Sequence, residues 1–242
     1  MYALFRFRFA STDLVAELVS RDRSTIYEAF NVLEKQKLIH KFYDKTYRLR
    51  SRPAIYCLAT KGIKHLRENT ELNDKTLRNF YKNKSMDEEY IDKCLNVFVI
   101  YLKLRKSMGS KFNLHTKWEL SREAFPGPPL PELWLERKQA VSGELDYVLD
   151  IFPAFTPSWL LRRRLRQYQD FEDDSEYESS HVLLVAQNES TERRLFKLAE
   201  NTIQDFEFYI TQQDLLLNSK DEAIWIDLME SDEDEFVRTS IN

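Results

Sequence analysis

Glycine is scarce in this chain, and its scarcity excludes several kinds of active site. The 242 residues include four glycines, and no two of them have the spacing of a phosphate-binding P-loop. No pair of glycines flanks a serine as in the nucleophile elbow of α/β-hydrolases, and there is no glycine-rich turn for a dinucleotide. Nucleotide hydrolysis at a P-loop and α/β-hydrolase chemistry are therefore excluded.

Cysteine, histidine and long apolar runs are scarce as well. The two cysteines, Cys57 and Cys94, form neither a disulfide framework nor a zinc site, which is typical of a reducing compartment. The four histidines include no pair with metal-ligand spacing, so the His-hydrophobic-His motif of rolling-circle nickases is missing. The longest apolar stretch, 95–104, is too short to span a bilayer, and the N-terminus lacks a signal-peptide pattern. We therefore expect a cytoplasmic protein that does not enter the membrane.

What the sequence does have is a strong separation of charge. Residues 1–85 hold 18 lysines and arginines against 9 aspartates and glutamates, a net charge of +9. Residues 86–242 hold 18 against 31, a net charge of −13, and the whole chain carries −4. A small basic part joined to a larger acidic part is a common layout for a DNA-binding domain attached to a second domain. Two unrelated solvated surfaces are the alternative explanation.

A helix-turn-helix is predicted near the start of the basic part. Apolar residues recur at helical spacing over 12–19, and a short polar break leads to a second amphipathic helix over 24–36. Two short helices joined by a tight polar turn are typical of a helix-turn-helix, whose second helix enters the major groove. The side chains expected to contact DNA here are Arg23, Ser24, Thr25, Tyr27 and Asn31.

A β-hairpin with a basic connection is predicted next. Residues 38–43 and 54–58 have strand-like patterns, and a basic, aromatic-bearing loop lies between them. A hairpin that follows a helix-turn-helix is the wing of a winged helix, and its cations can reach phosphates or the minor groove. The cations expected to do so are Lys45, Arg48, Arg50 and Arg52. The alternative is that they only solvate the hairpin.

The acidic part is predicted to form a second domain. Residues 88–107 carry a broad apolar stripe, and beyond them strand-like and helical patterns alternate, which predicts a mixed sheet flanked by helices. The Phe125–Pro129 region is predicted to break regular structure before the first of these strands, and a turn at Gly143 is predicted between the first strand and the second. The predicted organisation is a DNA-binding domain, a polar linker, a second domain and an acidic tail, at 1–68, 69–87, 88–229 and 230–242.

The order of these pieces resembles the replication-relaxation proteins of plasmids and integrative elements, to which one class of conjugative relaxases is related. The resemblance covers nearly the whole chain and rests on short pieces in a fixed order. These are Phe9-Ala10-Ser11-Thr12, Ser24-Thr25-Ile26-Tyr27, Leu33-Glu34-Lys35 with Leu38-Ile39, Pro131-Glu132-Leu133-Trp134, Tyr147-Val148-Leu149-Asp150 and an arginine-rich helix ending in Tyr168. The resemblance implies an α+β or α/β protein: an N-terminal winged helix-turn-helix followed by a restriction-endonuclease-like mixed sheet similar to the PD-(D/E)XK nucleases.

Three carboxylates are candidates for catalysis: Glu132, Asp146 and Asp150. A metal-dependent phosphodiesterase needs two or three carboxylates on adjacent strands to hold Mg²⁺ or Mn²⁺, and usually a lysine near the attacking water. By the resemblance, Glu132 and Asp150 stand at the two acidic positions of the family and are the expected metal ligands. Asp146 lies on the same side of its strand as Asp150 and could add a third carboxylate. Phe152 replaces the lysine that the family has two residues after the second acid.

The missing lysine leaves two interpretations of these acids open. Either Lys138 or Arg162 replaces it in space, or the site is degenerate and the acids are ordinary polar residues at strand ends. Helical geometry sends Arg162 and Arg166 to one face, where they contact DNA phosphates or pair with the acidic run 170–178.

The expected function follows from the same resemblance. The protein is expected to bind double-stranded DNA in the replication, relaxation or conjugative transfer of a plasmid or mobile element, with or without activity as a Mg²⁺- or Mn²⁺-dependent nickase. The alternative is a non-catalytic winged-helix accessory factor or transcriptional regulator with a degenerate nuclease-like domain. Other replication or conjugation proteins and a second copy of the chain are the further partners that this function admits.

Overall fold

The chain folds into two compact units, Met1–Leu102 and Lys103–Asn242, each built of helices and strands. The computed structural model describes residues 1–43, 45–120, 130–139, 146–174, 181–202, 207–221, 223–232 and 235–241. The expected mixture of helices and strands is therefore confirmed. No helix in these described ranges combines the length and the apolar character that crossing a bilayer requires.

The first unit contains one small antiparallel sheet and a series of helices. Its three strands are ordered β1-β3-β2, with Phe9 opposite Cys57 and Ile39 opposite Leu58. Its elements are α1 (Tyr2–Phe7), β1 (Phe9–Ser11), α2 (Thr12–Val19), α3 (Arg23–Lys35), β2 (Ile39–Phe42), α4 (Lys45–Leu49), β3 (Ile55–Leu58), α5 (Thr60–Asn69), α6 (Asp74–Asn79), a 3₁₀ helix (Phe80–Ser85) and α7 (Glu88–Met108), which continues past the boundary of the unit.

Local sequence explains how α2 and α3 are joined. The Ser11 hydroxyl accepts a hydrogen bond from the backbone N–H of Leu14, which satisfies one of the unpaired donors at the start of α2. The helix ends at Ser20 in the left-handed conformation, and α3 begins three residues later. The two helices predicted from the apolar periodicity are therefore confirmed, and so are the two paired strands that follow them.

Two segments of the first unit differ from expectation. The connection between β2 and β3 contains the short helix α4, where a loop was expected. The polar segment 69–87, expected to be a linker or a frayed helix, contains α6 and the 3₁₀ helix, and it differs from either expectation in that it buries Leu77, Phe80 and Asn83. These three residues recur every third position, which is the spacing of one helical face, although the polar residues around them hide it in the composition.

The second unit is built on a seven-stranded mixed sheet in the order β10-β9-β8-β7-β6-β5-β4. The central strands β6, β7 and β8 are parallel, and the outer pairs are antiparallel. The elements are β4 (Phe112–Thr116), β5 (Leu133–Arg137), β6 (Tyr147–Phe152), α8 (Ser158–Asp174), β7 (His181–Ala186), α9 (Glu189–Glu200), β8 (Phe208–Gln212), α10 (Gln213–Asn218), β9 (Trp225–Asp227) and β10 (Arg238–Thr239).

The expected alternation of strands and helices is present, and three outer elements, β4, α10 and β10, add to it. All six residues of β6 are buried, as are five of the six in β7, which is typical of parallel strands covered on both faces. Two residues of the expected acidic tail, 230–242, contact the second unit: Phe236 packs on Phe196, and Arg238 bonds to buried Glu192. The expected breaks at Phe125–Pro129 and at Gly143 lie outside the described residues, as does part of the acidic run 170–178.

Candidate functional site

Helix α3 presents a polar face that the core of the first unit leaves exposed. Ile26 and Phe30 lie one turn apart and are buried, and the Phe30 ring meets the Tyr56 ring edge-on at 4.7 Å. The predicted contact residues lie away from this apolar stripe, because the helical repeat places them on the remaining surface. Arg23, Ser24, Thr25 and Tyr27 are exposed and Asn31 is half-buried.

The cations of the predicted wing fall into two groups. Lys45 and Arg48 are exposed. Arg50 Nη1 lies 3.0 Å from Glu88 Oε1, and Arg52 Nη1 lies 2.7 Å from the same oxygen. Arg50 and Arg52 are therefore balanced by an acid at the start of α7, although these partners are themselves about half exposed and exchange easily. Arg23 has a similar exposed pair with an acid of α2, at 2.8 Å from Asp13.

A lysine between two exposed tyrosines joins α3 to the β2–β3 hairpin, and the sequence analysis missed it. Lys41 Nζ lies 5.9 Å from the centre of the Tyr27 ring and 5.6 Å from that of Tyr43. The two tyrosines are 49 % and 50 % exposed. A lysine between tyrosine rings offers a cation to phosphates and hydroxyl groups that can hydrogen-bond to base edges. The signal in the sequence was the run of basic residues followed directly by aromatic residues over 40–43.

In the second unit, the structure brings Glu132 and Asp150 together, as the resemblance implied. Leu133 of β5 pairs with Leu149 of β6 in an antiparallel register, so the residues before and after them are neighbours. The backbone N–H of Glu132 donates to Asp150 Oδ1 at 3.2 Å. Two acids thus stand side by side at one end of these strands.

The Asp150 carboxylate is already fully engaged by the protein. It is 4 % exposed. Oδ2 accepts hydrogen bonds from Arg164 Nε and, at 2.8 Å, from the Tyr168 hydroxyl. Oδ1 accepts from Arg164 Nη2 at 3.1 Å and from the Glu132 backbone. A carboxylate has about four lone-pair positions, and here four donors occupy them.

The electrostatics of this cluster keep its two members of α8 protonated. Burial alone would lower the pKa of the Arg164 guanidinium, but the charge of Asp150, helped by Tyr168 and Glu132, outweighs burial and raises it. Burial raises the pKa of Tyr168 well above its ordinary value, and the adjacent Asp150 raises it further. Arg164 is therefore a fixed cation and Tyr168 a fixed hydrogen-bond donor.

The other residues predicted near this site lie elsewhere. Asp146 is four residues from Asp150 on the same side of β6, which is about 13 Å along a strand and too far for a shared metal ion. It accepts hydrogen bonds from Trp134 Nε1 at 3.2 Å and from the Arg137 backbone at 2.8 Å. The structure therefore does not bring Asp146 to the other two acids, because residue parity fixes the side of a strand but not the distance along it.

The lysine nearest to the acids is neither of those expected. Lys138 donates to the Gly109 carbonyl oxygen at 2.6 Å, whereas Lys117 Nζ lies 3.3 Å from Glu132 Oε1. Arg162 and Arg166 are exposed on α8, and it is Arg164 that points to the acid. The sequence signal for Arg164 was its place among Leu161, Leu165 and Tyr168, the buried face of the helix.

These residues do not fit a divalent metal ion. Mg²⁺ and Mn²⁺ are bound through carboxylate and other oxygen ligands with open lone pairs, and Asp150 has none to offer. Among the residues that the structure describes, no three His, Cys, Asp or Glu side chains come together as a ligand set. Glu132 and Asp150 were expected to bind Mg²⁺ or Mn²⁺. In the structure, Arg164 instead forms hydrogen bonds to the Asp150 carboxylate that a metal ion would need.

Comparison of the chain with models of known protein families, with curated proteins and with solved structures found no match. The arguments about function therefore rest on the geometry of the chain's own residues.

Proposed function

We propose that the protein binds double-stranded DNA through its first unit, and that this unit is a winged helix-turn-helix. The observation that carries the proposal is the exposed polar face of α3, which lies beside Lys41 and the tyrosines Tyr27 and Tyr43 on either side of it. The order of elements supports it: α2 and α3 are followed directly by the antiparallel strands β2 and β3. In this arrangement α3 enters the major groove, and the β2–β3 connection follows the backbone.

The charge of the first unit supports the same proposal. Residues 1–102 carry 19 lysines and arginines against 13 aspartates and glutamates, a net charge of +6. Lys45, Arg48 and Arg50 supply exposed cations near the proposed DNA face, and release of counterions on phosphate contact drives such binding. Tyr27 and Asn31 are the side chains on α3 with hydrogen-bonding groups suited to base edges.

We further propose that the second unit is a nuclease-like domain that does not cut DNA. The placement of Glu132 beside Asp150 on neighbouring strands supports the nuclease-like assignment. The complete engagement of Asp150 by Arg164, Tyr168 and the Glu132 backbone supports the loss of catalysis. The protein then acts in replication or transfer of a mobile element as an accessory DNA-binding factor.

The DNA-binding proposal is tested by the salt dependence of binding to mixed duplexes. Replacing Arg48, Arg50 and Arg52 together by alanine should weaken binding to all sequences alike and reduce the salt slope by about one for each lost phosphate contact. The matched control removes three exposed lysines of the second unit, Lys106, Lys111 and Lys220. Equal weakening by the control variant would show that binding follows total charge and would overturn the assignment of the wing.

The role of α3 requires a separate readout. Tyr27→Phe and Asn31→Ala should change the sequences recovered when the protein selects sites from random duplexes, because they remove groups facing base edges. Their affinity for non-specific DNA should change little. An unchanged sequence preference in both variants would contradict insertion of α3 in the major groove.

The absence of catalysis is tested with supercoiled DNA. The purified protein with Mg²⁺ or Mn²⁺ should leave a supercoiled plasmid of its own element intact. Nicking that disappears in Asp150→Ala would contradict the non-catalytic assignment and establish a nickase. Nicking that persists in Asp150→Ala and follows the protein through further purification would also contradict the assignment, whereas nicking that is lost on purification is contamination.

A further inference from the structure

We infer that Arg164 takes the place of a divalent cation in the second unit, so that this core holds its paired acids with a charge from within the chain and binds no metal ion. This inference concerns the second unit alone and does not depend on DNA binding by the first.

The first support is the number of segments that one guanidinium holds together. Arg164 belongs to α8, its Nη2 donates to the Leu130 carbonyl oxygen ahead of β5 at 2.8 Å, and its Nε and Nη2 both bond to Asp150 of β6. A metal ion between these strands would join the same segments. The planar fork of arginine matches a carboxylate in two parallel bonds, which a single lysine ammonium would not do.

The second support is that the arginine and a metal ion exclude each other. The Arg164 side chain is 19 % exposed and that of Asp150 5 %, so the charges lie in a poorly solvated place. A second cation beside the guanidinium would meet strong repulsion there, since charges are weakly screened in such surroundings. Tyr168 occupies the remaining lone pair of Oδ2. A metal ion would therefore have to displace two side chains of α8.

The third support is the electrostatic field of both acids. Glu132 adds to Asp150 in favouring the charged form of Arg164, although Glu132 also has its own cation in Lys117, at 3.3 Å. Among the residues that the structure describes, the cluster thus contains two acids, Glu132 and Asp150, and two cations, Arg164 and Lys117. A charge-balanced group of this kind gains nothing from a further dication, whereas removal of Arg164 leaves an excess of negative charge.

The inference predicts that loss of the arginine creates a metal site. In Arg164→Ala, Asp150 regains open lone pairs beside Glu132, in a space vacated by a long side chain. This variant should be less stable than the wild type, and millimolar Mn²⁺ should raise its melting temperature by several degrees, because ligands that bind the folded state stabilise it. Arg164→Lys keeps a positive charge and should not respond to the ion.

The test is a titration of the full chain with Mn²⁺, followed by electron paramagnetic resonance, together with thermal unfolding with Mn²⁺ or EDTA. The melting temperature of the wild type should change with neither Mn²⁺ nor EDTA. Any Mn²⁺ that the wild type binds should also be bound by Asp150→Asn. Arg164→Ala should bind Mn²⁺, and Arg164→Ala/Asp150→Asn should lose that binding, which separates the site from the acidic surface.

Two results would overturn the inference. The first is Mn²⁺ binding by the wild type that Asp150→Asn removes, and this measurement decides the matter even if Arg164→Ala fails to fold. The second is a folded Arg164→Ala that binds no Mn²⁺. Neither result bears on the gel shift of the wild type with duplex DNA, so failure here is distinguishable from failure of the proposed DNA binding.

Discussion

The two units use their charged side chains in opposite ways. The first unit carries a net charge of +6 and keeps the cations of its β2–β3 connection at the surface, where Arg50 and Arg52 meet the exposed Glu88. The second unit carries −10 and places an ion pair, Asp150 with Arg164, among its packed strands. Exposed pairs are worth little and exchange easily with phosphates, whereas a buried pair cannot be broken cheaply. Position in the fold therefore separates charges that are available to a partner from charges that hold the fold.

The first unit adds a second kind of buried charge to this comparison. Arg8 is 5 % exposed and has a positive φ of 67°. Its Nε donates to Asn83 Oδ1 at 2.8 Å, and its Nη1 donates to the Tyr90 hydroxyl at 2.6 Å. These bonds join the start of the sheet to the 3₁₀ helix and α7. Buried arginines thus stabilise both units, and what distinguishes the first unit is its net positive charge.

The largest effect should come from removing the buried acid of the second unit. Asp150→Ala leaves Arg164 charged and buried without its carboxylate, which should lower the free energy of unfolding by about 3–5 kcal/mol. Glu88→Ala, which removes the acid of an exposed pair in the first unit, should lower it by at most about 1 kcal/mol. Urea unfolding of both variants measures the contrast, and equal losses would break the comparison between the units.

Arg8 should give the next largest effect. Arg8→Met retains the apolar stem but leaves Asn83 Oδ1 and the Tyr90 hydroxyl without the guanidinium, and we expect a loss of about 2–3 kcal/mol in urea unfolding. The matched control is Arg21→Met, at an exposed position in the turn after α2, which should change stability by less than about 0.5 kcal/mol. A loss for Arg8→Met as small as that of the control would mean that the segment 69–87, which contains Asn83, keeps its packing without the hydrogen bonds of Arg8.

The sequence could predict the elements that position both sites but not the contacts within them. Apolar periodicity predicted α3, and the resemblance predicted the neighbouring places of Glu132 and Asp150. Periodicity places position 164 on the apolar stripe of Leu161 and Leu165, but it cannot say that Arg164 bonds to Asp150. Lys117 was not predicted because it follows β4, a strand that was not predicted either, although its buried Phe112, Leu114 and Thr116 alternate with more exposed residues. Its partner Glu132 is distant in sequence and becomes its neighbour only through the sheet.

A moderate effect on DNA binding should follow from freeing an arginine of the β2–β3 connection. Glu88→Gln removes the acid that Arg50 and Arg52 share, so Arg50 becomes available to phosphates, whereas Arg52 keeps its pair with Asp92 at 3.3 Å. We expect affinity for duplex DNA to rise roughly two- to fivefold at low salt and the gain to fade as salt increases.

The control for this measurement is Glu200→Gln, at an exposed position in α9 of the second unit, which removes the same charge far along the chain. A similar gain in both variants would attribute the effect to net charge. Weaker binding by Glu88→Gln would mean that Glu88 orients the arginines for contact with DNA. The exposed pairs of the first unit would then have a structural role, as the buried Asp150–Arg164 pair has in the second unit.

The smallest predicted effect concerns the pH dependence of stability at His181, a titratable residue of the second unit. Burial lowers the pKa of His181, and the opposing pull of Glu207, whose Oε2 lies 2.7 Å from His181 Nδ1, does not overcome it, while Arg137 acts in the same direction as burial. Because the folded pKa is below the unfolded one, the neutral ring contributes stability that is fully present above the ordinary histidine pKa and is lost as pH falls through the folded value. Wild-type protein should therefore lose slightly more stability than His181→Gln when urea unfolding is repeated from pH 7.5 down to pH 5. A wild type that loses less would mean that the ion pair with Glu207 outweighs the effect of burial on His181.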